Sequence, residues 1–240
     1  MKTATIRLTA PLQSYGNQAD FNQRTTNYYP TKSAIIGMVA AALGYQRDNS
    51  RIEELNKLLV AVRIEQPSKM MTEFQTVEYH KSSTKTARKL TYRQFLQDAV
   101  FVVAIGSNDN QAIDQLINAL KHPKFQLYLG RRSNPPAGPL KVDDFQDKNP
   151  IQVLEDLPWQ ASKWYQKKFP KKEFTAKIIA DAVLIPDGKV IFTKDKVGSF
   201  NQKDRYHKYR AITEKKVQLE NLEYEQEKHF RSDLDYWSAI

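Results

Sequence analysis

Residues 28–45, YYPTKSAIIGMVAAALGY, constrain this chain more than any other stretch. Pro30 disfavours helix at Tyr29 and ends an extended approach. Thr31 or Ser33 then offers a hydroxyl that accepts an orphan backbone N–H at a helix start. Ile35, Ile36, Val39, Ala40 and Leu43 recur at helical spacing, while Gly37, Ala41 and Ala42 keep the other face small. Gly44 suits the left-handed residue that closes a helix. Lys32 and two hydroxyls therefore sit where unpaired N–H groups and the positive helix end converge, a ready phosphate site. The same residues also describe an ordinary buried helix with an ordinary cap.

Charge narrows the class of partner. Across 240 residues the chain carries 37 Lys plus Arg against 27 Asp plus Glu, a net +10. That surplus favours a polyanion, and nucleic acid is the usual one. The absence of cysteine removes disulfides, thiolate chemistry and cysteine-bound zinc, and it fits the cytoplasm. No apolar run reaches the ~18 residues that span a bilayer, so no membrane partner is expected. The opening MKTATIRLTA lacks a signal-peptide core.

The remaining elements follow in order. Ala4, Ile6, Leu8 and Ala10 alternate along a half-exposed strand. Residues 11–29 are polar, without a period, and read as a long functional loop. Residues 51–59 form a second short helix leading into the strand LVAVRI. Residues 67–95 carry net +4, and two alternating arms around the tip KSSTKTARK predict a protruding basic hairpin. AVFVVAIG at 99–106 is the most apolar strand and belongs inside a sheet. Residues 109–120 make a helix burying Ile113, Leu116, Ile117 and Leu120. A short strand then ends at Gly130, before the pair Arg131–Arg132, whose planar forks of donors suit phosphates.

Beyond that, residues 151–157 form a helix ended by Pro158. Residues 161–177 interleave six lysines with Trp164, Tyr165, Phe169 and Phe174. Such aromatics either stack bases or pack on the domain with the lysines solvated. Pro186-Asp187-Gly188 signals a hairpin between two apolar arms. Residues 205–212 and 217–225 are two further strands, and the tail from Glu214 is acidic.

The order strand, helix, strand, projection, strand, helix, strand is the βαββαβ ferredoxin-like arrangement of RNA-recognition domains, with an inserted hairpin. The expected fold is α+β: a domain over residues 1–140, with a thumb hairpin at about 67–96, and a small, mainly β extension over 141–240.

Enzyme chemistry has little footing. His80, His122, His207 and His229 lie apart in sequence, and no Walker loop, dinucleotide motif or nucleophile elbow occurs, so no cofactor or metal is expected. Tyr79, His80 and Lys81 could supply a base, an acid and a cation for RNA cleavage. Neighbours on a strand point to opposite faces, which keeps them from converging on one atom.

Five stretches together resemble a known family: IRLTAPLQSYG at 6–16, YPTKSAIIGMVAAALGYQRD at 29–48, EFQTVEYH at 73–80, LTYRQFLQDAVFVVAI at 90–105 and YLGRRSNPP at 128–136. In this order the chain resembles the Cas-five (Cas5) family subunit of the type I-E CRISPR surveillance complex Cascade, over roughly its first 140 residues. The resemblance implies a non-catalytic RNA-binding subunit that holds the 5′ handle of the CRISPR RNA and caps the assembly beside a large subunit and a backbone subunit. Target DNA would be met through the complex. The implied RNA contacts are Gln13, Ser14 and Tyr15; Arg24; Lys32 and Ser33; Lys81, Lys85, Arg88 and Lys89 on the thumb; and Arg131, Arg132 and Ser133. A type I-C relative is itself a processing nuclease, which keeps metal-independent cleavage of repeat RNA as the alternative.

Overall fold

The computed structural model describes residues 1–19, 22–82 and 85–224. In chain order it contains β1 (Lys2–Thr9), β2 (Leu12–Gln13), β3 (Tyr15–Ala19), β4 (Gln23–Asn27), α1 (Lys32–Leu43), α2 (Arg51–Glu54), β5 (Leu59–Gln66), β6 (Lys69–Ser82), β7 (Lys85–Gln97) and β8 (Val100–Ser107). There follow α3 (Asn110–Lys121), β9 (Lys141–Phe145), α4 (Pro150–Asp156), α5 (Lys163–Lys168), β10 (Glu173–Asp181), β11 (Val190–Ser199) and β12 (Tyr206–Glu220).

A seven-stranded sheet runs β11-β12-β10-β5-β8-β1-β9. Every neighbouring pair in it is antiparallel. β8, the most apolar strand, lies inside it between β5 and β1, because an interior strand covered on both faces can bury consecutive side chains, here Val100 to Gly106. α1 and α3 cover one face through Ile35, Ile36, Val39, Ile113 and Leu116. α4 covers the other through Ile151 and Leu154. β1 is therefore buried on both faces, Thr3 and Thr5 included, rather than half-exposed.

α1 forms as its sequence dictates. Thr31 accepts the Ala34 N–H as the cap, and Gly44 closes the helix at φ +80°. The expected thumb is present as the long antiparallel pair β6–β7, with residues 83–84 of its tip outside the described residues.

Four local expectations fail. Residues 12–27 are not a structureless loop: β2, β3 and β4 join β7 in a second sheet at the thumb base. The segment before Gly130 is irregular, and the strand after α3 is β9. The arms around Pro186-Asp187-Gly188 do not pair with each other, because β12 lies between β10 and β11. Residues 206–220 make one strand, not two, paired on both sides. The boundary expected at residue 140 falls just before β9, which pairs with β1, and β10 adds to β5, so both parts share one sheet.

Candidate nucleic-acid interface

The turn that begins at Gly130 is built for close approach. Gly130 has φ +89°, and a Cβ there would stand 1.6 Å from the Ser14 carbonyl oxygen. Ser14 donates its backbone N–H to the Leu129 carbonyl at 3.2 Å, and Asn134 accepts from the Leu129 N–H at 2.7 Å. These bonds clamp the turn against the segment joining β2 to β3. Arg131 is thereby fixed. Its Nε donates to Ser14 Oγ at 3.2 Å and one terminal nitrogen donates to the Arg24 carbonyl at 3.4 Å. Its guanidinium lies over the Phe95 ring, 4.7 Å from the centroid.

Two more arginines join it from the thumb base. β4 runs parallel to β7 with Arg24 in register with Arg93. Burial first, then the charges of Arg93 and Arg24, lowers the Arg131 pKa from its ordinary value, with Glu73 opposing. Three guanidinium groups around one carboxylate leave a surplus of positive charge. Buried donors also lack acceptors here: Arg93 Nε and Asn134 Nδ2 have no hydrogen-bond partner in the structure. Donors left this way cost free energy unless something arrives to accept from them.

The implied contact residues separate into walls and surface. Gln13, Ser14 and Tyr15 are buried. Gln13 donates to the Ala99 carbonyl at 2.7 Å and accepts from the Tyr15 hydroxyl at 2.6 Å. Ser14 Oγ donates to the Gln94 carbonyl. These three shape the wall without facing solvent, and Ser14 holds Arg131 in place. Arg24, Arg132 and Ser133 are exposed, and Ser133 lies within hydrogen-bond distance of Asn134 Oδ1. Lys81, Lys85, Arg88 and Lys89 are exposed on the thumb, with Arg88 on Glu78 at 3.1 Å.

Lys32 corrects the phosphate site expected at the start of α1. Its side chain is 6% exposed, and its ammonium contacts Asp181 at 2.8 Å. Its backbone N–H donates to Asp195 Oδ2 at 2.9 Å. Arg210 bridges both carboxylates at 2.8 and 2.6 Å. Two aspartates and two cations thus neutralise one another at the helix end, which leaves no surplus positive charge there to attract an external anion. Burial lowers the Lys32 pKa, with Asp181 acting against it. Ser33 Oγ lies 3.2 Å from Thr31 Oγ1 at the same cap.

Residues 4–221 match the model of the family described as CRISPR-associated protein (Cas_Cas5). The chain belongs to the Cas5 family. A curated relative, the CRISPR system Cascade subunit CasD of Escherichia coli (strain K12), is 30% identical over 165 residues, covering 62% of this chain and 74% of the relative. A solved chain titled CRISPR RNA-guided surveillance complex superposes at TM-score 0.73 with 26% identity, covering 91% of each chain. Another, titled crystal structure of Cas protein, gives 0.65 and 28%, covering 91% of this chain and 95% of that one.

For this Cas5 chain, Arg93 and Asn134 are the residues that sequence reasoning did not assign. Arg93 entered only as one of the thumb's charges. Its sign was an odd-numbered partner to Phe95 on β7, two residues away and therefore on the same face.

Proposed function

We propose that this chain is the RNA-holding subunit of a type I-E Cascade complex. On this reading the arginines at the thumb base grip the backbone of the CRISPR RNA 5′ handle, and the chain caps one end of the assembly beside a large and a backbone subunit. Target DNA is met through the complex and read by guide pairing. The observation that carries the reading is the convergence of Arg24, Arg93 and Arg131 with donors that lack acceptors. Phosphate oxygens satisfy both needs at once, supplying negative charge and several acceptor sites. Family membership and the likeness to the E. coli Cascade subunit support the same assignment.

The path β1–α1–β5–β8–α3–β9 is read as the ferredoxin-like domain. The strand order β5-β8-β1-β9 and its antiparallel pairing support that. β10 to β12 are its β extension. No described helix is long and apolar enough to cross a membrane.

The role is binding, not cleavage. Tyr79 and His80 occupy consecutive positions of β6 opposite Ala87 and Thr86, so their side chains point to opposite faces, and Lys81 lies in the register shift that follows. The test begins by sequencing the RNA that co-purifies with the chain. A synthetic copy is then titrated over a salt series against the parent and the triple variant Arg24→Gln, Arg93→Gln, Arg131→Gln. Each lost phosphate contact on a single strand lowers the slope of log K against log salt by about 0.7. The expected drop in slope is therefore about 2. Parent-like affinity and slope overturn the site, and a cleaved product in EDTA overturns the non-catalytic role.

A further inference from the structure

The structure divides the lysine- and aromatic-rich segment 161–177 into two populations. Tyr165, Phe169 and Phe174 turn inward onto Trp159. Its indole stacks on Phe174 at 4.6 Å and meets Phe169 and Tyr165 edge-on at 5.4 and 6.0 Å. Trp164 turns the other way and stays 52% exposed. Helical spacing explains the split: positions 163, 164, 167 and 168 share one side of α5, and 165 and 169 the other.

On the outward side Trp164 is a braced platform. Tyr165 supports it edge-on at 5.7 Å, and Lys168 Nζ stands 5.9 Å from its ring centroid. Lys163 and Lys167 are exposed on the same side of α5, with Lys167 reaching Glu223 at 3.7 Å, and Lys171 and Lys172 are exposed just after the helix. The patch is tied to the root of the thumb. Ser162, just before α5, donates its N–H to Gln66 Oε1 at 3.2 Å, and Gln66 donates to the Asp98 carbonyl at 2.6 Å. Gln66 and Asp98 flank the two thumb strands in sequence.

We propose that this face is a second binding site for single-stranded nucleic acid, in which an unpaired base stacks on Trp164 and the neighbouring phosphates meet the lysines. The combination fits that ligand class better than a protein surface. Base–aromatic stacking needs an exposed ring among cations, whereas the cores of protein interfaces are depleted in lysine. The proposal stands apart from the arginine site and does not depend on it.

The experiment uses the full chain carrying Arg24→Gln, Arg93→Gln and Arg131→Gln, so that the arginine site is silenced. Its binding to labelled oligo-rU and oligo-dT of about ten nucleotides is followed by anisotropy over a salt series. The background chain is expected to bind, and added Trp164→Ala to weaken binding about tenfold. Trp164→Phe keeps a ring and should retain most of the affinity. Replacing Lys163, Lys168, Lys171 and Lys172 with Gln should lower the salt slope by about 3, at about 0.7 per contact. The two oligomers tell whether ribose matters: tighter rU marks the site for RNA, and equal or tighter dT for any single strand or DNA. A background chain that binds neither oligomer overturns the proposal, as does unchanged binding by the Trp164→Ala and lysine variants. Loss of subunit assembly on Trp164→Ala with oligomer binding intact also overturns it and gives the face to a protein partner. The arginine site is reported separately, by the difference between parent and background.

Discussion

Asp195 caps the helix that begins at Lys32, accepting its backbone N–H at 2.9 Å across 163 residues of chain. A carboxylate from β11 thus occupies the place at the helix end that a phosphate would take. Arg210 holds that carboxylate through two nitrogens, at 2.6 and 3.0 Å. Replacing Asp195 with Ala strips acceptors from both. Removing one partner of a buried ion network costs about 3–5 kcal/mol. The Asp195→Ala chain should show that loss as a lower urea midpoint at unchanged m-value.

Lys32 and Arg24 should behave oppositely, although both are cations implied in RNA contact. Lys32→Ala leaves Asp181 without its ammonium partner and should destabilise the chain by about 3 kcal/mol. Arg24 is exposed, so Arg24→Gln should hold stability within about 0.5 kcal/mol. Its RNA affinity should nevertheless fall about tenfold, the worth of one charge-assisted hydrogen bond. Thermal melts and RNA titrations of the two variants, side by side, check the contrast.

Gly130→Ala tests the clamp. The left-handed φ of +89° alone costs a non-glycine residue about 1–3 kcal/mol, and the added carbon meets the Ser14 carbonyl. The turn must move, taking Arg131 away from Ser14 and Phe95. Stability and RNA affinity should drop together, and parent-like values for both would show that the close approach is dispensable.

His207 makes stability depend on pH. Burial first, then the charges of Arg205 and Lys194, lowers its pKa below the ordinary 6.5, with Asp195 opposing. Its Nε2 has no hydrogen-bond partner in the structure. The unfolded chain therefore takes up the proton more readily than the folded one. The contribution is present above the unfolded pKa of about 6.5 and is lost as pH falls from there through the lower pKa of the folded chain. The melting temperature should decrease from about pH 7.5 to about pH 5.5, and His207→Gln should flatten that slope.

How much of this was legible in the sequence depended on how local the signal was. The cap at Thr31, the closing Gly44 and the alternation of the thumb strands are short-range patterns, and each appears where expected. Lys32 misled because its counter-charge, Asp181, lies 149 residues away and nothing nearby announces it. Residues 12–27 looked structureless because their strands are short and polar, and two of them pair with β7 at the thumb base. The turn at Pro186-Asp187-Gly188 reverses the chain, but a turn signal does not say which strand lies alongside, and β12 separates the two arms. In 161–177 composition offered two meanings at once. Helical spacing turns Tyr165 and Phe169 inward onto Trp159 and leaves Trp164 exposed, a split that composition alone does not show.

The four-charge knot beneath α1 sets a timetable for synthesis. Lys32 leaves the ribosome early, but Asp181, Asp195 and Arg210 emerge only after most of the chain has been made. Until then the front half of the chain has the apolar helix without the counter-charges of its first residue, and β5 has no β10 along its edge. A chain that stops before Arg210 lacks the guanidinium that joins Asp181 to Asp195, and two carboxylates are left to share one ammonium.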